Sequence, residues 1–458
     1  MTLSKNFIGL TLGPLLAAVA FFTLQSFGWQ ETACWTAAIT IICAVWWIFE
    51  PIPIPATSLI PLATLPIIGV LTPAQVGEAY GSPLVLLLMG GFILSTAMEK
   101  SGAHRRVALG MVNLFGGNSS RRLVFGFMAA SAVLSMWISN TATTLMLLPV
   151  ALAVIERSDD DNLAIPLLLG IAYAASVGGI GTPIGTPPNL VFREIYWENT
   201  GIEIGFLTWM SWGVPVVLIF VPIIALWLTR RLNHQGHVDM PKVGAWQTEE
   251  RRVFLVFAFT ALAWITRSQP FGGWKTWLDV PGANDASVAL LAVVAMFLIP
   301  NGKGSRLLDW ETAGRIPWGM LILFGGGIAI AKAFIVSGMS AALGNALAGI
   351  AGWPILAMMA VICLCITFLT EMTSNTATTT LMMPILAAAA IAAGIAPEAL
   401  MVPAAMSASC AFMLPVATAP NTIVFSTGWF TTRLMAREGL VLNFTGVIVI
   451  SVMCYLLM

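Results

Sequence analysis

The chain has 458 residues, of which 58% are hydrophobic and only 9% are charged, and its 21 basic residues balance its 21 acidic ones. A composition this apolar excludes a water-soluble domain, and a net charge of zero gives no sign of a nucleic-acid partner. We therefore expect an all-α integral membrane protein in contact with lipid. The six cysteines show neither metal-ligand spacing nor a disulfide framework, so we expect them to pack within the membrane.

Long apolar runs predict about eleven transmembrane helices, because each run approaches the length that a bilayer requires. Two further stretches, 121–156 and 353–394, each place a polar Ser-Asn-Thr between two apolar arms. A polar tip suits a cavity better than a lipid-facing helix midpoint, so we expect two re-entrant hairpins. If each stretch instead crossed the membrane fully, most loops would keep the same side of the membrane. This alternative stays open. The eleven runs are 8–27, 33–49, 54–71, 83–103, 163–181, 206–229, 252–268, 286–300, 317–338, 398–416 and 439–457.

The distribution of basic residues predicts the orientation of the chain. With a cytoplasmic N-terminus, most of the 21 Lys and Arg residues fall in cytoplasmic loops. We therefore expect the N-terminus inside and the C-terminus outside.

The sequence contains an internal repeat. Ser-Asn-Thr-Ala-Thr-Thr starts at Ser139 and again at Ser374. Leu-Met-Gly-Gly at 88–91 corresponds to Leu-Phe-Gly-Gly at 323–326, and Gly-Thr-Pro-Pro-Asn at 185–189 to Ala-Thr-Ala-Pro-Asn at 417–421. Three landmarks in one order indicate a duplicated unit, and five spans per unit would invert the second copy relative to the first.

We divide the chain accordingly. An extra first transmembrane helix occupies 1–32, and a cytoplasmic linker at 232–251 joins the two repeats. The first repeat, 33–231, contains the hairpin 121–156 and a broken helix at 163–200. The second, 252–458, contains the hairpin 353–394 and a broken helix at 398–430. Glycine and proline interrupt the first broken helix at 185–188, where consecutive prolines remove backbone donors.

The polar tips predict ion binding at membrane depth. Ser, Asn and Thr are good helix N-caps, and capping alone is the simplest interpretation. The same three residues occurring twice, each with a second polar break, favour a binding role. Hydroxyl, amide and unwound carbonyl oxygens suit an alkali cation, while the helix that starts after each tip suits an anion. We therefore interpret the chain as a solute transporter.

Hydroxyl groups also lie one helical turn before each tip, at Ser135 and Thr370, where they either supply a further oxygen ligand or bond back to their own helix. Neither tip and neither break contains Lys, Arg or His, so a bound dianion would need co-bound cations. The acidic residue nearest a tip is Glu371, which we expect to pair with Lys332. The alternative is that Glu371 carries a proton.

The doubled Ser-Asn-Thr and the Gly-Thr-Pro-Pro-Asn at 185–189 resemble those of the divalent anion/sodium symporters, the INDY-type dicarboxylate transporters. The resemblance covers nearly the whole chain. It implies a homodimer in a bacterial inner membrane, with a scaffold domain and a mobile transport domain that moves like an elevator.

The resemblance also implies specific site residues. The first sodium site would use Ser135, Ser139, Asn140 and the backbone at Gly185, and the second Thr370, Ser374, Asn375 and the backbone at Ala417. The substrate carboxylates would contact both tips and both breaks, at Ser139, Asn140, Thr141, Ser374, Asn375, Thr376, Thr186 and Thr418. One departure is Ala419, where the first half has Pro187.

The leading functional prediction is therefore sodium-driven uptake of C4 dicarboxylates such as succinate, fumarate or malate, with no organic cofactor. A sodium-independent dicarboxylate exchanger, or a transporter of citrate, tartrate or sulfate, stays open. A channel is disfavoured because the sequence has no charged rings or repeated carbonyl filter. An enzyme is disfavoured because we find no catalytic set of paired carboxylates, of a His near a nucleophile, or of metal ligands.

Overall fold

The structure is a computed structural model that describes residues 5–115, 119–158, 160–232, 244–269, 271–342 and 352–458. Within these ranges the regular secondary structure is helical, and the β-structure is an isolated bridge between Pro300 and Arg306. The all-α prediction is confirmed. Residues 233–243 of the predicted linker lie outside the described residues.

The helices of the described residues follow the apolar runs in chain order. They are α1 (Lys5–Ser26), α2 (Glu31–Phe49), α3 (Ile54–Thr57), α4 (Leu59–Ile67), α5 (Pro73–Tyr80), α6 (Pro83–Ser101), α7 (Ala103–Phe115), α8 (Ser120–Ser135), α9 (Asn140–Glu156), α10 (Ala164–Gly178), α11 (Pro187–Thr200), α12 (Phe206–Leu228), α13 (Thr248–Ile265), α14 (Gly273–Trp277), α15 (Asp285–Leu298), α16 (Trp310–Ala313), α17 (Trp318–Val336), α18 (Ile355–Thr370), α19 (Asn375–Ala392), α20 (Pro397–Ser407), α21 (Ala419–Phe425) and α22 (Thr432–Leu457). Short 3-10 turns lie at Gly179–Gly181, Thr229–Arg231 and Pro415–Ala417.

Among the described residues, eight helices are long and apolar enough to cross a membrane. All but one coincide with predicted spans, and the exception, Asn375–Ala392, is the second arm of the second predicted hairpin. The predicted runs at 54–71, 252–268, 286–300 and 398–416 are helical over a shorter or more charged stretch. The chain is therefore a multi-pass membrane protein.

Each Ser-Asn-Thr stretch folds as two helices joined by a tight turn, α8 with α9 and α18 with α19. The first arm has 16 residues in both cases. At a rise of about 1.5 Å per residue such an arm is about 24 Å long, less than the roughly 30 Å hydrocarbon core of a bilayer. First arms of this length suit a re-entrant hairpin better than a full crossing. The second arms have 17 and 18 residues, and α19 is the one long enough to cross.

Two helices are interrupted where the sequence places its glycine and proline breaks. In the first half α10 ends at Gly178, a 3-10 turn follows, and α11 begins at Pro187. In the second half α20 ends earlier, at Ser407, and α21 begins only at Ala419. The second break therefore leaves a longer segment of backbone outside any helix.

Helix α10 is the centre of the first half, because nearly all of its residues are buried. Its last residue, Gly178, meets the end of α8 backbone to backbone, since a Cβ there would lie 2.4 Å from the carbonyl oxygen of Ala132. This close approach places the first tip directly against the first break.

The predicted pairing of Glu371 with Lys332 is wrong. The Lys332 ammonium lies 2.7 Å from a Glu78 carboxylate oxygen and 3.7 Å from one of Glu198. Glu371 instead accepts hydrogen bonds from Asn443 and from the backbone of the second break. Lys332 is near the far end of α17, where α5 and α11 bring their carboxylates, and the sequence alone does not show that proximity.

Candidate cation and anion site

Both tips and both breaks line one cavity of about 820 Å³. Eight of the lining residues belong to the tips and breaks and occupy equivalent positions in the two halves. They are Ser139, Asn140, Gly185 and Thr186 in the first half, and Ser374, Asn375, Ala417 and Thr418 in the second. Thr141 and Thr376 also line it, whereas Ser135 and Thr370 are fully buried behind it. The structure thus brings the predicted site residues of both halves to one place.

The two tips are built in the same way. Ser135 Oγ donates a hydrogen bond to Asn140 Oδ1 at 2.5 Å, and Thr370 Oγ1 donates to Asn375 Oδ1 at 2.6 Å. Thr370 Oγ1 also lies 3.0 Å from the carbonyl oxygen of Ala408 in the second break. The hydroxyls therefore orient the tip amides rather than bonding back to their own helices. Each hydroxyl and amide oxygen keeps a lone pair for a cation.

The two breaks are also held in the same way, by a buried asparagine. Asn189 Nδ2 donates to the carbonyl oxygens of Gly179 and Thr182 at 2.9 and 2.8 Å. Asn421 Nδ2 donates to those of Ala411 and Leu414 at 2.9 and 3.0 Å. The amide groups of Asn189 and Asn421 thus hold the unwound backbone of the two breaks.

Capping accounts for only part of the polar sequence. Ser139 accepts a bond from the Ala142 N–H, and Thr418 accepts one from the Asn421 N–H. Their equivalents in the other half, Ser374 for Ser139 and Thr186 for Thr418, are also N-cap residues, but neither makes a side-chain capping bond. Both line the cavity, where their hydroxyls are available to a ligand.

The space for a first cation lies beside Gly179. A Cβ added at this residue would lie 2.9 Å from Asn140 Oδ1 and 3.1 Å from the carbonyl oxygen of Gly185. Two of the predicted sodium ligands therefore face the same narrow space, which a methyl group could enter only by displacing one of these oxygens. Gly179 has ordinary right-handed helical angles, so its lack of a side chain serves this space rather than the backbone conformation.

The electrostatics of the cavity favour co-binding of a cation and an anion. Glu50 is the only charged residue among the described residues that line it. Helices α9 and α19 begin at the cavity and direct free N–H groups and positive dipole ends toward it. Helix α11 adds only its dipole, because Pro187 and Pro188 have no N–H and the Asn189 N–H donates to the Thr186 carbonyl oxygen. A dianion would gain from these dipoles, and bound cations would supply the remaining neutralising charge.

The cavity extends past Glu50, at the end of α2, to Pro317, at the start of α17. Outside this lining, nearly two turns along α11 from its start at the cavity, a buried ion network ties α11 to α15 and to Arg267, which follows the end of α13. Arg193 lies 2.8 Å from Asp285, which is also 2.8 Å from Arg267. All three side chains are buried.

Two site-supporting residues had no role in the sequence analysis. Asn443 in α22 bonds Glu371 at 2.8 Å, and the Tyr173 hydroxyl donates to the carbonyl oxygen of Phe412 at 2.7 Å. A polar amide in the middle of the apolar run 439–457 was the available signal for Asn443, because buried polar groups in a membrane need partners.

The chain is similar in sequence to known membrane transporters. The family model described as "Citrate transporter" matches residues 44–402. The chain is 39% identical over 475 residues to a "Sodium-dependent dicarboxylate transporter SdcS" of Staphylococcus saprophyticus, covering 98% of this chain and 91% of the relative. An SdcS of Staphylococcus aureus strain USA300 is 39% identical over 478 residues with the same coverage. The chain belongs to the CitMHS/DASS-type transporter family.

As a CitMHS/DASS-type protein, the chain is a membrane transporter and not an enzyme. Among solved structures, it resembles the YdaH transporter of Alcanivorax borkumensis, described as having an unusual topology. The TM-score is 0.57 at 15% identity, covering 85% of this chain and 87% of the other. At this identity the likeness concerns the fold alone, and it agrees with a transporter fold.

The gap beside Gly179 gives a direct test. Gly179→Ala should reduce the rise in melting temperature that NaCl gives over choline chloride by about half or more, since the methyl group would lie 2.9 Å from Asn140 Oδ1 and displace a ligand of one of the two proposed cation sites. Gly110→Ala is the control, because Gly110 is in α7 and has no atom within 4 Å of its Cβ position. A full sodium-induced rise in Gly179→Ala, measured on the purified protein, would show that no cation binds there.

Proposed function

We propose that the chain is a secondary active symporter that couples inward sodium movement to the uptake of C4 dicarboxylates such as succinate, fumarate or malate. The observation that carries the proposal is the pair of similar tip-and-break units facing one cavity that has no basic lining residue among the described ones. The names of the two staphylococcal relatives support both the ion and the class of substrate.

The proposed first sodium site comprises Ser135, Ser139, Asn140 and the Gly185 carbonyl. The second comprises Thr370, Ser374, Asn375 and the Ala417 carbonyl. Between them the substrate carboxylates contact the tip and break side chains, Ser139, Asn140, Thr141, Ser374, Asn375, Thr376, Thr186 and Thr418. Two sodium ions with one dianion would be electroneutral, so net inward movement of positive charge, and with it a contribution from the membrane potential, would require more than two sodium ions for each dianion.

Citrate is the second candidate substrate, because the matching family model is described as a citrate transporter. The same hydroxyl and amide donors would also bind tartrate or sulfate. A sodium-independent exchanger is less well supported, because without co-bound cations the cavity lining would leave a dianion without a counter-charge.

The proposed mechanism is an elevator. The two repeats, 33–231 and 252–458, would each contribute a hairpin and a broken helix to a mobile transport domain, and the other helices would form the scaffold of a homodimer. In a bacterial inner membrane with the N-terminus inside, Glu50 and Pro317 lie on the cytoplasmic side. The cavity that reaches them is then open inward, and the buried Arg193–Asp285–Arg267 network, which is not part of its lining, lies on the predicted outer side.

Uptake of radiolabelled succinate into proteoliposomes tests the function. We expect accumulation with an inward sodium gradient and none with potassium alone, and excess unlabelled citrate and sulfate will rank the anions. Asn140→Ala and Asn375→Ala should each abolish uptake, because each amide contacts both a cation and a carboxylate, while the exposed Asn113→Ala should retain it.

The outcomes separate the alternatives. Equal uptake in both salts, stimulated by succinate loaded inside, would indicate an exchanger. Normal uptake by either Asn140→Ala or Asn375→Ala, with protein that purifies and melts like the wild type, would contradict the site assignment.

Cysteine labelling tests the orientation. Met372 lines the cavity and is 77% exposed, so Met372→Cys in a Cys365→Ser background should react with an impermeant maleimide in inside-out vesicles and not in intact cells. Glu311→Cys, predicted inside, should react in the same way, and Trp277→Cys, predicted outside, in the opposite way. Labelling of Met372→Cys from outside only would reverse the proposed opening.

A further inference from the structure

The two halves hold their breaks differently in one respect. In the first half, Ile180 and Gly181 lie in a 3-10 turn that continues α10, so the helix itself provides acceptors for N–H groups. In the second half the chain leaves its helix at Ser407, and residues 410–414 are in no helix. Its N–H groups therefore need acceptors from outside the segment.

Glu371 supplies these acceptors. One carboxylate oxygen accepts from the N–H groups of Phe412 and Met413 at 2.7 and 2.9 Å, and the other accepts from Leu414 at 3.0 Å. Asn443 Nδ2 in α22 adds a fourth bond at 2.8 Å. The side chain is 3% exposed, so no solvent replaces these bonds.

The residue that occupies the corresponding place in the first tip is Met136. Its side chain packs over Gly181, where a Cβ would lie 2.8 Å from the terminal Met136 methyl group. A methionine suffices there because the 3-10 turn leaves no row of free N–H groups. The difference between Glu371 and Met136 therefore follows from how far each helix unwinds.

The carbonyl groups of the same segment are also committed. Asn421 Nδ2 donates to those of Ala411 and Leu414, and the Tyr173 hydroxyl donates to that of Phe412. With the N–H groups held by Glu371, the segment has one arrangement relative to the second tip. Ala417 follows this segment by three residues and lines the cavity together with Ser374 and Asn375.

We propose that Glu371 is a positioning residue for the second cation site: it holds the unwound segment 412–414 and thereby sets the place of the Ala417 carbonyl. This inference rests on the proposed sodium coupling. Glu371 does not touch the cargo. Without its carboxylate, three buried N–H groups would compete for the oxygens of the site or refold the break, and sodium binding would weaken before succinate binding does.

Glu371→Gln tests this, because the amide keeps the size of the side chain but has one acceptor oxygen and turns an NH₂ group toward backbone donors. We expect the sodium concentration for half-maximal uptake to rise about tenfold or more, as one unsatisfied donor of about 1.4 kcal/mol would produce. The Hill coefficient for sodium should fall toward 1, and the sodium-induced rise in melting temperature should shrink. The KM for succinate at saturating sodium should change much less.

Glu371→Asp, which keeps the carboxylate with a shorter reach, should recover part of the sodium response. Glu249→Gln is the matched control, because Glu249 is also a buried carboxylate but pairs with Lys303 away from the cavity. If Glu371→Gln does not fold, Asn443→Ala, which removes only the fourth bond, should still raise the half-maximal sodium concentration by more than Glu249→Gln does.

A Glu371→Gln or Asn443→Ala protein that is less stable without sodium but keeps the wild-type sodium response would overturn the inference and leave the symport proposal intact. Wild-type uptake that is equal in sodium and potassium would overturn the symport proposal, and this inference with it.

Discussion

The constraint on which the site depends is that unwound backbone inside a membrane protein must have every N–H and carbonyl group satisfied from within. Each half of this chain unwinds a helix at the cavity and so creates such groups. Asn189 and Asn421 satisfy carbonyls, and Glu371 satisfies three consecutive N–H groups. The carbonyls of Gly185 and Ala417 carry no such bond in the described structure and line the cavity beside the tip amides.

This arrangement links ion binding to the charge of the substrate. A lining that offers hydroxyl, amide and carbonyl oxygens with helix N-termini binds a cation and an anion together better than either alone. Basic side chains would hold a dianion without help, and the described lining has none. Coupling of sodium to the dianion therefore follows both from the neutral oxygen ligands of the cavity and from the lack of basic side chains in its described lining.

Much of the site could be predicted from sequence because its parts are short motifs that occur twice. The tips at Ser139 and Ser374 and the breaks at 185–189 and 417–421 are contiguous, and duplication indicates that both copies act together. Contacts between distant helices could not be predicted in this way. Glu371 was expected to pair with Lys332, but three backbone N–H groups donate to it instead. These N–H groups lack helical partners only because α20 ends at Ser407. The Arg193–Asp285–Arg267 network likewise joins α11, α15 and the residues after α13, which no local pattern relates.

The most direct test of the account is an experimental density map of the protein in sodium and succinate, compared with one in potassium alone. We predict two sodium densities, one between Asn140 and the Gly185 carbonyl and one between Asn375 and the Ala417 carbonyl, with succinate between the two tips. All three should be missing in potassium. Succinate bound away from the tips, or bound equally in both salts, would contradict the claim that two neutral cation sites hold the dianion.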